Sequence, residues 1–351
     1  MKNGMSKALI FTLLFILCSI GILVREAQTQ AKSQPEAFYK GAMIKFIVPY
    51  APGGTYDLYA RMLGPYLEKC TGSRVIIENM AGAAGLVGGG YLYSVAKPDG
   101  LTVALLPMPG MIIGDLLDIE GVKYELDKFT YIGRVETVWR GLFTSKASGF
   151  KSIQDMMKAA KPIRFGSTDP TAQSSVDASL IAEAFHLRAK IVPGYKGSKE
   201  YMLALIAGRE VDAAATNFTG YEEFAKKGEM ILAAMIGKQR YPDFPGTPYL
   251  LETPGLSSDG KKLLEILNVT NEAGRMVVAP PNVPEAKRSF LETALAKAMK
   301  ERALMDWAQK NGFNMSFLPG KECQEMISKL MGVVPKADKP RIKDLVTQKY
   351  F

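Results

Sequence analysis

Short apolar runs rich in β-branched residues recur along the chain, and most are followed by a polar or glycine-rich break and then by helical periodicity. The first run, at 43–50, ends in the break at 51–55, and from Asp57 apolar residues recur every four positions. This spacing predicts a strand, a loop and a helix that is kinked at Pro65. The other predicted strands lie at 75–78, 101–106, 131–144, 163–166, 189–193, 210–215 and 274–279.

The alternation of strand, loop and helix indicates an α/β fold in which helices cover parallel or mixed sheets. The pattern restarts before the middle of the chain. We therefore predict two lobes, joined by two crossing strands in the extended segments near 131–144 and 274–279. The first lobe is expected at 37–136 together with 276–351, so that it holds both termini, and the second lobe at 137–275.

The N-terminal residues have the pattern of an export signal. Two lysines precede an apolar stretch at 8–24, and small residues stand at Thr29 and Ala31. This predicts a signal peptide at 1–31 and a periplasmic or other extracytoplasmic location. The apolar stretch is long for a signal and only slightly short of a membrane span, so an uncleaved membrane anchor is the alternative. No later segment is apolar enough to cross a bilayer.

Composition and charge are those of an ordinary globular protein. The chain has 351 residues, a length that suits two lobes better than one core. Of these residues 47% are hydrophobic, and the formal net charge is +9. The basic residues are scattered, so we expect a mild attraction for anions and no binding of nucleic acid. After removal of the signal, Cys70 and Cys323 either form a disulfide or remain separate thiols.

The single histidine, His186, argues against hydrolase and zinc chemistry. A Ser-His-Asp triad or a multi-histidine zinc site would depend on this residue, which lies in a helical-looking segment. Gly82, Gly85 and Gly88 follow a strand, but their spacing differs from the Gly-x-Gly-x-x-Gly of dinucleotide-binding folds. We therefore predict no catalytic residues, no metal and no cofactor, and a nucleotide-dependent enzyme is a remote alternative.

The loops that follow the strands are the candidate ligand site. Ligands of open α/β sheets bind beyond the carboxyl ends of the strands. The glycine-rich loops after Tyr50 and Glu78 are therefore expected to face the polar loops after Gly166 and Ala215.

The first of these loops suits an anion. Gly53 and Gly54 let the backbone approach a ligand, and the unpaired amides that open the next helix carry a partial positive charge, so a carboxylate can bind there. Asp57 is expected to cap that helix, to fix the loop, or to accept a hydrogen bond from an amine of the ligand. The alternative is a tight turn and a helix cap without a ligand.

Polar side chains also crowd the loop that follows the first strand of the predicted second lobe. Ser167, Thr168, Thr171, Gln173 and Ser174 place hydroxyls and an amide at a helix start. This suits a carboxylate clamp to which both lobes contribute. An ordinary polar loop that caps its own helix is the alternative.

Six motifs, in order, resemble the substrate-binding proteins of tripartite tricarboxylate transporters, also called Bug proteins. The similarity extends from Lys45 to about Gly312. Each motif is weak alone, but their common order is specific. The motifs are 47–57 with Arg61, Glu78-Asn79 with 82–85, 98–102, 195–197, 208–212 and 279–284.

The resemblance implies a two-lobed type II periplasmic-binding-protein fold (a Venus flytrap) that binds small carboxylates or, in some members, aromatic or amino acids. It implies that the loops at 51–57 and 83–85 grip a carboxylate through backbone groups and water, and that the second lobe adds contacts from 167–174 and from around Tyr195. The expected ligand-binding residues are Tyr50, Pro52, Gly53, Gly54, Thr55, Asp57, Ala83, Ala84, Gly85, Ser167, Thr168, Thr171, Gln173, Tyr195 and Asn217.

Two positions depart from the commonest family pattern. Tyr56 stands where a small residue is usual and is expected to narrow the site. Asp169, in the second-lobe loop, either repels a second carboxylate or points to solvent.

The expected function is capture of a small carboxylate by an extracytoplasmic, monomeric binding protein that delivers it to membrane permease subunits of a tripartite tricarboxylate transporter. A sensor that presents its solute to a signalling receptor is the alternative, because the same fold serves both functions.

Overall fold

Two mixed sheets organise the chain. The structure is a computed structural model that describes residues 35–218, 221–237, 241 and 243–351, and the predicted signal peptide at 1–31 lies outside these residues. The strands are β1 (Met43–Val48), β2 (Arg74–Asn79), β3 (Thr102–Pro107), β4 (Thr130–Glu136), β5 (Arg140–Ser145), β6 (Ile163–Gly166), β7 (Ala189–Val192), β8 (Ala213–Asn217), β9 (Met230–Ile236), β10 (Arg275–Ala279) and β11 (Met315–Pro319).

Helices follow most of these strands. The α-helices are α1 (Thr55–Thr71), α2 (Leu86–Ser94), α3 (Met108–Leu116), α4 (Ile153–Met157), α5 (Gln173–Ala184), α6 (Ser198–Ala207), α7 (Glu222–Lys226), α8 (Ser258–Glu272), α9 (Glu285–Ala298), α10 (Arg302–Lys310), α11 (Gly320–Leu330) and α12 (Lys339–Asp344). Among the described residues, no helix is long and apolar enough to span a bilayer.

The six-stranded sheet has the order β11-β4-β10-β3-β1-β2, and the five-stranded sheet has the order β7-β6-β8-β5-β9. In the first sheet β1 is parallel to β2 and β3, whereas β10 is antiparallel to β3 and β4. In the second sheet β6 is parallel to β7 and β8, whereas β5 is antiparallel to β8 and β9. The predicted α/β fold with two mixed sheets is confirmed. We call the halves built on these sheets the first and second lobes.

The chain passes between the sheets through short links. The predicted extended segment at 131–144 is divided into β4 and β5, and residues 137–139 between them form the first crossing link. The return follows α8 and reaches the first sheet at Arg275, the first residue of β10. The crossings are thus made by a few residues at strand ends.

The C-terminal residues differ from the predicted arrangement, in which the first lobe held both termini. The Ile191 amide on β7 donates a hydrogen bond of 2.7 Å to the Tyr350 carbonyl. The Lys349 ammonium lies 2.6 Å from the Glu183 carboxylate on α5. The chain therefore crosses between the lobes a third time and ends on the second.

Cys70 and Cys323 are separate thiols. Cys323 is buried, and its thiol donates to the Leu318 carbonyl at 3.4 Å, whereas Cys70 is half-buried on α1. Of the two alternatives left open by the sequence, the structure has the free thiols.

Candidate functional site

Asp57 holds the glycine-rich loop after β1. Its carboxylate is 2% exposed and accepts hydrogen bonds from the Gly53 amide at 2.8 Å, from Arg61 Nε at 2.9 Å and from Asn79 Nδ2 at 3.0 Å. The Asn79 amide also donates to the Tyr50 carbonyl at 2.9 Å. Of the three roles predicted for Asp57, the geometry favours fixing the loop.

The same partners keep Asp57 ionised. Burial by itself raises the pKa of Asp57, but the hydrogen bonds from Arg61, Gly53 and Asn79 outweigh burial and hold the pKa below its ordinary value. The first loop is therefore tied to the end of β2 by a carboxylate that stays charged at neutral pH.

Replacing Asp57 with asparagine is expected to lower the free energy of unfolding at pH 7 by about 1–3 kcal/mol, because a buried donor loses its acceptor. A carboxylate with a depressed pKa stabilises the fold above the unfolded-state pKa, about 3.9, and loses this effect as the pH falls through the folded-state pKa. Urea unfolding should therefore show the difference between Asp57→Asn and the unchanged protein at pH 7 and a smaller one below about pH 4.

Asp306→Asn is the control for this prediction, since the Asp306 side chain is 66% exposed in a loose pair with Arg302. It should change stability by less than about 0.5 kcal/mol. Equal effects of the two substitutions would contradict the role given to Asp57.

The first turn of α1 presents unpaired amides beside this loop. Gly54 precedes the helix with φ −76° and ψ 169° and offers no side chain to cap it. The first hydrogen bond into the helix is from Leu58 N–H to the Gly54 carbonyl, at 2.9 Å. The amides of Thr55, Tyr56 and Asp57 have no acceptor among the described residues. Three N–H groups at the positive end of a 17-residue helix are thus left for a ligand.

The second glycine-rich loop is a left-handed turn. Ala83, Ala84 and Gly85 have φ of 43°, 51° and 105°. Non-glycine residues in this region cost roughly 1–2 kcal/mol each and are concentrated at functional sites. A Cβ at Gly85 would lie 3.0 Å from Pro107, and one at Gly88 would lie 2.8 Å from Pro49. The glycine run therefore lets α2 pack closely on the ends of β1 and β3.

The two loops lie side by side. The Tyr50 hydroxyl donates to the Ala84 carbonyl at 3.2 Å, and the Tyr50 and Tyr56 rings are 4.6 Å apart. Ala84 also lines a cavity of about 20 Å³ together with Thr171 of the second lobe and Val346 of the C-terminal segment. The loop after β2 thus contacts both the end of β1 and the second-lobe loop at Thr171, which is part of the predicted arrangement.

The hydroxyls of the second-lobe loop bond mainly to each other. The Ser167 and Ser174 hydroxyls are 2.6 Å apart, and Ser175 donates to the Ser167 hydroxyl at 2.7 Å. The Thr171 hydroxyl donates to Asp169 Oδ1 at 2.6 Å, and the Thr171 amide donates to the same oxygen at 2.8 Å. For these side chains the geometry favours a loop that satisfies its own polar groups.

Gln173 lies at the contact between the lobes. Its Nε2 donates to Asp177 Oδ1 at 2.5 Å, and its buried Oε1 has no hydrogen-bond partner among the residues that the structure describes. This oxygen faces Gly110 on α3, in the first lobe. Asp177 also accepts a hydrogen bond from Arg140 Nε at 2.7 Å. Hydrogen bonds therefore link Gln173, Asp177 and Arg140 into one network on α5 and β5, on the side of the second lobe that contacts α3.

A second buried guanidinium lies at the crossing. Arg275 and Glu136 form an ion pair in which both side chains are 1% exposed. The guanidinium carbon of Arg275 lies 4.5 Å from the Tyr56 ring centre. Burial raises the pKa of Tyr56, against an opposing effect of Arg275. Tyr56 therefore connects the first ligand loop with the crossing segments.

Arg140 and Arg275 were not among the site residues expected from the sequence. Each is the first residue, and the only charged residue, of a strand that follows a crossing between the sheets. A charged residue at such a position is a signal that could have been used. Each guanidinium is paired with a buried carboxylate, so these pairs add no net charge to the site.

The remaining predicted residues either contact other parts of the second lobe or are exposed. The Tyr195 hydroxyl donates to Glu210 at 3.3 Å, and its ring packs 6.1 Å from that of Tyr201. The Thr168 carbonyl accepts a hydrogen bond from the Gly194 amide at 3.0 Å. Asn217 is the last residue of β8, opposite Arg140, and Pro52 is exposed.

Comparison with known proteins gives concordant results. A family model described as "Tripartite tricarboxylate transporter family receptor" matches residues 59–332. A UPF0065 protein of Pseudomonas sp. (strain P51) is 25% identical over 298 residues, which cover 80% of this chain and 86% of that protein.

Solved structures show the same fold. The periplasmic binding protein BugD has a TM-score of 0.69 and 21% identity, over 88% of this chain and 99% of BugD. MatC from Rhodopseudomonas palustris, solved with bound malate, has a TM-score of 0.67 and 21% identity, over 84% of this chain and 99% of MatC.

Proposed function

This chain belongs to the family of tripartite tricarboxylate transporter receptors, and we propose that it binds a small carboxylate between its lobes and presents it to the permease subunits of such a transporter. The family consists of solute-binding receptors and not of enzymes. The proposed binding residues are those named from the sequence, with the two first-lobe loops as the anion site.

The observation that carries this proposal is the set of unpaired amides at the start of α1. They belong to Thr55, Tyr56 and Asp57, in a loop that Asp57 fixes and that Tyr50 joins to Ala84. Backbone N–H groups at a helix start bind anions without a cationic side chain. A carboxylate there would accept the hydrogen bonds that the chain itself leaves unmade.

The two buried arginines limit the chemical class of the ligand less tightly than the loop amides do. The guanidiniums of Arg140 and Arg275 already have carboxylate partners, so the proposed ligand places one carboxylate on the loop amides and meets polar but neutral groups elsewhere. MatC, which shares the fold, holds malate, a small hydroxy-dicarboxylate. Mono- and dicarboxylates of that size are therefore the first compounds to test.

Thermal unfolding with a panel of small mono-, di- and tricarboxylates, aromatic acids and nucleotides tests the proposal. One carboxylate should raise the melting temperature saturably, with a stabilisation of about 2.7 kcal/mol at 100 times its Kd. Its uncharged amide should have little effect. Stabilisation by nucleotides alone would contradict the proposal.

Transport is tested separately from binding. Cells that carry the permease subunits should accumulate the labelled carboxylate only when they also produce this chain. We further propose an exported monomer cleaved after Ala31, which the mass of the protein from a periplasmic fraction and light scattering will test. Binding without any effect on uptake would favour the sensor.

A further inference from the structure

A cavity of about 270 Å³ lies where the lobes join. Its described walls come from β4, from the first crossing link at 137–139, from the end of β9 and from the last turns of α8. Among the described residues it has no wall from the ligand loops at 51–57, 83–85 or 167–175. It is therefore separate from the candidate carboxylate site, and its volume is close to that of small-molecule sites.

An unpartnered amide lines this cavity. Asn271 is 5% exposed, and within the part of the chain that the structure describes neither its Oδ1 nor its Nδ2 has a hydrogen-bond partner. A buried polar group without a partner costs roughly 1–3 kcal/mol, so it indicates a molecule that completes the site. The neighbouring Asn268 accepts a hydrogen bond from the Gly237 amide at 2.8 Å.

The Arg134 guanidinium lines the same cavity, and the carboxylates of Glu272, which also lines it, and Glu322 act on its charge without forming an ion pair with it. Arg134 donates to the Glu272 carbonyl at 2.9 Å, to the Ser316 hydroxyl at 3.0 Å and to the Ser316 carbonyl at 3.3 Å. All three acceptors are uncharged, and no described carboxylate lies within ion-pair distance of Arg134. Burial lowers the pKa of Arg134. An anion in the cavity would compensate the partly buried charge.

We propose that this hinge cavity binds a small organic anion, with its carboxylate on Arg134 and the Asn271 amide nitrogen and its apolar part against Trp139. Trp139 belongs to the crossing link and is half-buried in the cavity wall. The guanidinium and the side-chain amide supply charge-assisted hydrogen bonds, and the indole supplies an apolar surface.

The site would act on lobe movement. Its walls come from both lobes and from the first crossing link, so an occupant contacts the parts that move when the cleft opens. A ligand that binds one arrangement of the lobes better shifts the equilibrium toward it. The hinge anion should therefore change the affinity of the cleft for its own ligand.

Benzoate, with benzamide as its uncharged isostere, is the probe. Titration calorimetry on the purified protein should show benzoate binding that Arg134→Gln weakens by about tenfold or more, and benzamide should bind at least about tenfold more weakly. Asn271→Leu should also weaken benzoate and, because it removes two unpartnered atoms, should fold at least as stably as the unchanged protein. Arg302→Gln, at a largely exposed arginine, is the matched control and should have no effect.

The cleft variant Gly54→Asp separates the two sites, because it changes only the ligand loop and should bind benzoate at the hinge normally. A Kd weaker than about 10 mM would overturn the proposal. So would benzoate binding that persists in Arg134→Gln and Asn271→Leu, or binding that disappears in Gly54→Asp. The last result would place benzoate in the cleft and leave the proposed function standing.

Discussion

Replacing Glu136 with leucine is expected to lower the free energy of unfolding by about 3–5 kcal/mol, because it leaves the buried charge of Arg275 without a partner. Glu136 ends β4 and Arg275 begins β10, and the two residues are paired in register next to the crossing links. Since Arg275 also contacts the Tyr56 ring at 4.5 Å, the loss should reach the ligand loop.

Removal of the other partner of the ion pair, in Arg275→Met, should make stability depend on pH in a different way. Burial raises the pKa of Glu136, and removal of Arg275 removes the main influence that lowers it. A carboxylate whose folded-state pKa lies above the unfolded value of about 4.3 favours the fold at low pH and loses this effect as the pH rises through the folded-state pKa. Arg275→Met should therefore be less stable at pH 7 than at pH 5, relative to the unchanged protein.

Arg275 cannot lose its proton, so the cost of Glu136→Leu should be nearly constant between about pH 5 and 8. Chemical unfolding at several pH values measures both variants. The double variant Glu136→Leu/Arg275→Met replaces the ion pair with apolar side chains and should recover most of the stability. A loss below about 1 kcal/mol in Glu136→Leu would show that the ion pair does not support the crossing.

Replacing Gly54 with aspartate is expected to stabilise the protein and to abolish carboxylate binding. Gly54 has the extended backbone of a residue that precedes a helix, and a Cβ there would be 3.4 Å from the Ala51 carbonyl oxygen, an ordinary contact. An aspartate at this position accepts hydrogen bonds from the amides that we assign to the ligand. Stability should rise by a few tenths to about 1 kcal/mol.

Affinity for the carboxylate should fall by at least about 100-fold in Gly54→Asp, which corresponds to about 2.7 kcal/mol. Gly54→Ser should have an affinity between those of Gly54→Asp and the unchanged protein. Gly54→Ala adds the Cβ without a capping atom, so its affinity should stay within about threefold of that of the unchanged protein. Its stability should fall by up to about 1 kcal/mol. From alanine through serine to aspartate, the affinity measured by calorimetry should therefore fall, whereas the stability measured by thermal unfolding should rise. If Gly54→Ala and Gly54→Asp impair binding equally, the size of the added side chain, and not competition for the amides, explains the loss of affinity.

The sequence predicted best where local pattern and tertiary role agree. The strand before Tyr50 is β-branched and apolar, and the helix after it begins within two residues of the predicted position, because a glycine loop separates them. The strand at Met230–Ile236 was not predicted. Its alanine, methionine and leucine residues favour helix, and pairing with β5 makes it a strand.

The local sequence pattern does not show which residues pair when they are far apart along the chain. Glu136 and Arg275 are 139 residues apart, and Tyr350 bonds to Glu183 across 167 residues. Nothing local indicates such partners, so the sequence did not show what Arg275 and Tyr350 bond to, and the C-terminal segment was placed on the first lobe. The proposed amide site could be located from the sequence because it depends on glycines and a helix start, which are local features.

A crystal structure with the carboxylate that stabilises the protein most strongly will show whether backbone amides hold the ligand. We expect carboxylate oxygens about 3 Å from backbone nitrogens at the start of α1, with Tyr50 still bonded to Ala84. A carboxylate held by Arg140 or another side-chain cation, with the amides of Thr55 and Tyr56 bonded only to water, would contradict this expectation.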